Sequence, residues 1–224
     1  MRLRWESADP DKVAACLAAV LGVERSAVPP APARFRLRNA TIEVATADRG
    51  AILARRTSGD SLVVLDERCD AAVLPDDATS DVMLVAIGIA TVDTERFASE
   101  RGWRLAAAAD DDLLGAMATA AATSGTARDI VAGPPGIVLL EPSTEGRIAA
   151  SLARRGEGPA VLYLRTTRGI DDARAELSRR GCRPTPVATG PFGRACAVGG
   201  SAWGPHLVIV DSGVLAGPAR TIAP

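Results

Sequence analysis

Histidine and aromatic side chains are the scarcest feature of this chain. It has one histidine and one tyrosine, and aromatics make up 3% of its 224 residues. So few rings argue against a stacking platform for single-stranded nucleic acid. Charge of one sign is also missing: 26 Lys and Arg face 27 Asp and Glu, whereas a nucleic-acid surface needs a basic excess. No apolar run approaches the roughly 20 residues that would span a bilayer, so no membrane partner is expected. The opening stretch "MRLRWESADPDK" lacks the apolar centre of a secretory signal, which makes the cytoplasm the expected location. The four cysteines, Cys16, Cys69, Cys182 and Cys196, form no C-x-x-C pair. With one histidine to help them they read as free, buried thiols rather than a zinc site. No cofactor is expected.

What the chain does have is repetition. A short strand, a polar cap and a helix recur at a spacing of about 80 residues, in "RLRWESADPDKVAACLAAVLGV", "MLVAIGIATVDTERFASERGW" and "AVLYLRTTRGIDDARAELSRRGC". In the first copy Asp9 is placed to cap, Pro10 suits the first helical position and Gly22 suits a left-handed stop. Val13, Cys16, Leu17, Val20 and Leu21 share a helical face. In the second, Thr91 or Asp93 caps and Gly102 stops. The third buries Ile170, Ala173 and Leu177 and stops at Gly181.

Strand-like runs follow each helix. They are "FRLRN" and "TIEVAT"; then "RLAAAA", "GAMATAAAT" and "GIVLLEP"; then "GRACAVGG" and "GPHLVIVD". "SLVVLDE" is an additional strand outside the repeat. The expected class is α+β, with three βαβββ units, two of them paired into a cup with helices outside. The expected domains are a single unit with its extra strand over 1–70, a linker at 71–81, the paired units over 82–212 and a tail at 213–224.

Four segments carry a resemblance: "VAIGIATVD", "VLLEPSTEGRIAASLARRGEGP", "DDARAELSRRG" and "GPHLVIV". Over residues 82–212 the chain resembles the vicinal oxygen chelate superfamily, which includes glyoxalase I, bleomycin-resistance proteins and ring-cleaving dioxygenases. Its methylmalonyl-CoA epimerase-like members are the most similar. The resemblance implies a cup of two paired units, with a divalent cation held by His and Glu side chains on four strands. Carried over one at a time, those positions fall on Ala86, Val138, Val161 and Val208. A cation needs lone pairs, and hydrocarbon supplies none, so no metal is expected.

Strand alternation places Gly88, Ala90, Leu140, Tyr163, Arg165, His206 and Val210 on the same inward face. That predicts an apolar cup with Tyr163, Arg165 and His206 as its polar groups and Trp203 as a lid, suited to an organic ligand with one anionic or hydrogen-bonding end. Each polar residue also has an ordinary reading. Tyr163 fits a core tyrosine bonded to a backbone carbonyl, Arg165 an arginine reaching solvent, and His206 an exposed turn residue. In the first unit Arg2, Arg4 and Glu43 form either a charged interior or a wet sheet face. That unit lacks a partner, and a homodimer would supply one. Two functions stand open: a metal-independent protein that sequesters or carries a small organic molecule, and a metal-free lyase, isomerase or epimerase using His206, Tyr163 or Arg165. A purely structural role with side-chain-filled cups is a third.

Overall fold

In the computed structural model the residues described are 2–7, 9–23, 32–46, 61–66, 82–123, 136–198 and 205–211. The expected linker at 71–81, the tail and Trp203 lie outside them. No helix among the described residues is long and apolar enough to cross a membrane.

Eight strands form one sheet: β5 (Met83–Ala90), β6 (Trp103–Asp111), β7 (Ala116–Thr123), β8 (Gly136–Pro142), β9 (Gly158–Arg165), β10 (Ala188–Gly190), β11 (Gly193–Val198) and β12 (His206–Val210). Their spatial order is β10-β11-β12-β9-β5-β8-β7-β6. Outward from the centre this is the same unit twice: first strand, fourth, third, second. The two first strands, β5 and β9, pair antiparallel, and each runs parallel to the last strand of its own unit. The sheet curls into a half-barrel, and its end strands β6 and β10 pack against each other. The alanine-rich stretch at 116–122, which helix propensity alone would favour as helix, is strand because the repeat needs one there. The three-residue β10, "ATG", was not anticipated; it is too short to show alternation.

The helices follow their caps. α2 (Thr94–Ser99) starts at Asp93, whose side chain accepts from Arg96 N–H at 2.8 Å, and Gly102 closes its end with φ 64°. The junction supplies two more acceptors. Glu141 accepts from the Thr94 N–H and hydroxyl, and Glu157 accepts from the Thr91 hydroxyl, the Val92 N–H and the Arg96 guanidinium. These bonds hold the Glu157 carboxyl down at about 2. The most specific part of the resembling segment therefore secures a short helix that could not stand alone.

α4 (Ile170–Arg179) and α2 lie on the convex face. Phe97, Ala98, Ile170, Ala173 and Leu177 pack there against Leu84, Ile87, Leu139, Leu162, Leu164, Leu207 and Ile209. The linker helix α3 (Arg147–Arg155) behaves differently: Ile148 and Leu152 join the cluster on the concave face.

The first unit builds a separate sheet from β1 (Arg2–Ser7), β2 (Ala33–Arg36), β3 (Thr41–Thr46) and β4 (Ser61–Asp66), in the order β2-β3-β1-β4. β1 runs parallel to β3, and β4 ("SLVVLD") takes the antiparallel flank of β1. β9 takes the same flank of β5. α1 (Pro10–Leu21) has the expected caps at Asp9 and Gly22. Its most buried stripe is Ala14, Leu17, Ala18 and Ala19, not the bulkier stripe centred on Val13, Cys16 and Val20, which is half-buried. Alanines let the helix approach the sheet closely, and hydrophobicity alone does not reveal that.

The apolar face of this unit (Leu3, Trp5, Phe35, Ile42, Val44 and α1) is continuous with the core on the convex side of the large sheet. Asn39 bridges the two sheets: its amide nitrogen donates to Leu84 O at 2.7 Å and its oxygen accepts from Leu84 N–H at 2.8 Å. Leu84 is fully buried, so Asn39→Ala strands two backbone groups. We expect it to cost about 2–4 kcal/mol in denaturant unfolding. The opposite face is wet. Glu43 is ringed by Arg2, Arg4 and Arg34 at 3.7, 3.9 and 3.1 Å, and the arginine side chains are 41–68% exposed. The solvated-face reading is the one the structure supports, and pairs this exposed contribute little.

Candidate functional site on the concave face

The concave face is built from alternate residues of β5, β8, β9 and β12. Ala86, Val138, Val161 and Val208 converge there in one cluster, none more than 4% exposed. Strand register accounts for this: Gly88 lies opposite both Val138 and Val161, while Ala86 and Val208 flank Tyr163. The four positions offer only methyl groups to a cation. Among the described residues no group of three or more His, Cys, Asp or Glu comes together. The residues present do not fit a divalent ion.

The floor of the cup is filled. A Cβ on Gly88 would sit 2.7 Å from Leu140 Cδ1, 2.8 Å from Val161 Cβ and 3.2 Å from Tyr163 Cε2. Ala90, Ala116, Ala118, Ala160, Ala195 and Ala197 line the same cluster. Small residues on all sides are what so tight a curl requires. Ile148 of α3, fully buried, closes the cluster from above.

Tyr163 is completely buried. Its hydroxyl donates to Asp111 Oδ2 at 2.8 Å, across the half-barrel from β9 to the end of β6. The partner is thus a carboxylate and not the backbone carbonyl of the ordinary reading. Asp111 is 1% exposed, and its other oxygen accepts from Leu114 N–H at 3.1 Å. Burial pushes its carboxyl up to about 6 against the pull of those hydrogen bonds. Burial, reinforced by the adjacent Asp111 charge, pushes the Tyr163 phenol well above its ordinary value. Phe192 meets the Tyr163 ring edge-on at 5.1 Å. Asp111 escaped sequence reasoning because "DDD" at 110–112 looks like a solvated charge run. The available signal was its place at a strand end before "LLG", where an aspartate readily caps a turn.

His206 is the first residue of β12, opposite Val161, and is 1% exposed. It is not the exposed turn residue of the ordinary reading. Neither ring nitrogen has a well-formed hydrogen bond among the described residues. Burial, with the charges of Arg147 and Arg155, lowers its pKa to about 4, opposed only by a backbone contact to Arg147. The imidazole is neutral near pH 7. Arg165, at the far end of β9, is half-buried, with a buried Nε that has no hydrogen-bond partner among the described residues. β9 separates it from His206, so the three polar candidates do not meet at one point. Tyr163 is committed to Asp111, and His206 and Arg165 lie toward opposite ends of the cup.

Two 1-4-3-2 units joined through their first strands, curled around one concave face, decide the architecture. The fold is a glyoxalase-like cup. No protein-family model and no curated protein matches the chain. Among solved structures it is similar to methylmalonyl-CoA epimerase from Mycobacterium tuberculosis, at 24% identity and TM-score 0.47 over 59% of this chain and 90% of that one. A Streptomyces coelicolor methylmalonyl-CoA epimerase variant in complex with 2-nitronate-propionyl-CoA matches at 22% identity and TM-score 0.47, over 60% and 97%. A hypothetical protein from Bacillus halodurans C-125 matches at 22% and 0.45, over 58% and 94%. Where the sequence resemblance implies a metal-binding inner face, the inner face here is hydrocarbon with one tyrosine–aspartate pair and one buried histidine.

Proposed function

We propose that this chain is a metal-independent, glyoxalase-like protein that holds a small organic molecule at the His206 end of its cup, in a sequestering or carrier role. One observation carries the reading: a buried imidazole on the inner face whose two nitrogens have no well-formed hydrogen bond among the described residues. Each such atom costs about 1–3 kcal/mol when buried unsatisfied, which a ligand group would offset. A neutral imidazole offers one donor and one acceptor. Arg147 and Arg155 make its surroundings positive. An otherwise apolar molecule with an acidic or hydrogen-bonding end fits that chemistry. Native mass spectrometry of the protein as purified, followed by a thermal-shift screen of small organic acids, tests it. We expect a bound compound whose affinity falls at least about tenfold in His206→Ala, the worth of one lost hydrogen bond. Equal binding by wild type and variant would end the reading.

The second reading, a metal-free lyase, isomerase or epimerase, is favoured by one feature, a carboxyl tuned to about 6 beside a phenol. General acid–base catalysis uses groups poised near the working pH. The phenol and the carboxyl are already hydrogen-bonded to each other, whereas the His206 nitrogens have no well-formed hydrogen bond among the described residues, so the binding role is preferred. Turnover of the bound compound that disappears in Tyr163→Phe, with the fold intact, would reverse that preference. A homodimer remains part of the proposal, but through the wet face around Glu43, since the apolar face of the first unit is already covered within the chain. Light scattering that gives a monomer mass at low and high salt would remove it.

A further inference from the structure

Cys16 and Cys182 are 166 positions apart in sequence, the difference of their residue numbers, yet both side chains pack against one core cluster at the seam where α1 meets α4, close enough for each thiol to shift the titration of the other. Cys16 sits on α1 of the first unit, and Cys182 follows α4 of the large sheet. Both are half-buried and free. The backbone around each is fixed. Cys182 N–H donates to Leu177 O at 3.0 Å, and Arg180 crosses the same seam to donate to Val23 O at 3.0 Å. Of the other two thiols, Cys196 is buried in the core cluster and Cys69 lies outside the described residues.

We propose that Cys16 and Cys182 form a reversible intramolecular disulfide on mild oxidation by hydrogen peroxide, stapling the first unit to the large sheet. The two thiols differ in reactivity. The neighbouring Cys182 thiol, opposed by burial and aided by the Lys12 charge, lowers the pKa of Cys16, while the partner thiol is pushed up. A thiolate is the nucleophile, so Cys16 attacks first. Its sulfur bonds to one peroxide oxygen and the O–O bond breaks. Cys16 becomes a sulfenic acid and hydroxide leaves, taking a proton from solvent. Cys182 then attacks the sulfenic sulfur, the S–OH bond breaks, and the Cys182 proton departs with the hydroxyl as water. Two thiols are oxidised, one peroxide is reduced, and two waters form. A dithiol reductant reverses the bond by exchange.

The test uses the full chain treated with stoichiometric hydrogen peroxide, then alkylated and digested with trypsin. The tryptic fragments 13–25 and 181–194 should appear as one cross-linked species that dithiothreitol separates. Because the bond closes a long loop, the apparent melting temperature should rise by about 5 °C or more. In Cys182→Ser, Cys16 should be trapped as a sulfenic acid by dimedone, whereas Cys16→Ala should give neither cross-link nor dimedone adduct at Cys182. Alkylation of both thiols after oxidation, linkage of either to Cys69 or Cys196, or a disulfide between two chains would overturn the proposal.

Discussion

Gly88→Ala is expected to destabilise the protein severely although it adds a single methyl group. Overpacking a core costs about 1–3 kcal/mol in typical cases. Here the cost should reach the top of that range or exceed it, because only one obstacle can move. Leu140 Cδ1, 2.7 Å from the new carbon, ends a rotatable side chain. Val161 Cβ, at 2.8 Å, is fixed to the backbone of the strand paired with β5. The half to one kcal/mol an alanine recovers over glycine in a strand is too little to compensate. The offending atom makes the rescue specific. Val161→Gly removes the Cβ and should restore much of the loss in the double variant, whereas Val161→Ala keeps it and should restore little. Denaturant midpoints of the four proteins provide the coupling energy. A mild Gly88→Ala would mean that the inner face is looser than its geometry and has room for a ligand at its floor.

Removing Asp111 or His206 should tilt the pH dependence of stability in opposite directions. The Asp111 carboxyl is raised from 3.8 to about 6 by burial. The folded state therefore holds its proton more tightly than the unfolded one. That contribution is fully present below about pH 4 and is lost as pH rises through 6. His206 is lowered from 6.5 to about 4. Its contribution is present above about pH 6.5 and is lost as pH falls through 4. Each shift of about two units corresponds to roughly 3 kcal/mol. In the wild type the two nearly cancel between pH 4 and 7. Asp111→Asn should leave a protein that weakens on acidification over that interval, and His206→Leu one that strengthens. Parallel pH profiles for the two variants would show that neither group is desolvated as the structure places it.

Local chemistry made much of the fold legible. Asp9, Pro10 and Gly22 frame α1, and Asp93 and Gly102 frame α2, because a cap is a contact between near neighbours. The resemblance put Ala86, Val138, Val161 and Val208 on one face, and period-two alternation extended that face along each strand, since a strand allows no other arrangement of alternate side chains. What stayed hidden was non-local. Nothing in "DDD" shows that Asp111 reaches across the barrel to Tyr163, because the curl that joins β6 to β9 belongs to the sheet as a whole. From its neighbours alone His206 is open between an inward strand residue and an exposed turn, and β12 beginning at His206 decides for the strand. The meeting of Cys16 and Cys182 depends on how the first unit docks. So does the Asn39–Leu84 bridge.

α3 is both the tether between the two halves of the large sheet and the cover of its hollow. Ile148 reaches the inner cluster only while the chain leaving Pro142 turns back to Gly158 within the same molecule. An exchange of halves between two molecules would have to pull that tether straight and lift the isoleucine into water. The protein is thus biased against swapped assembly by the buried side of α3, and shaving Ile148 to alanine is a change that should weaken that bias.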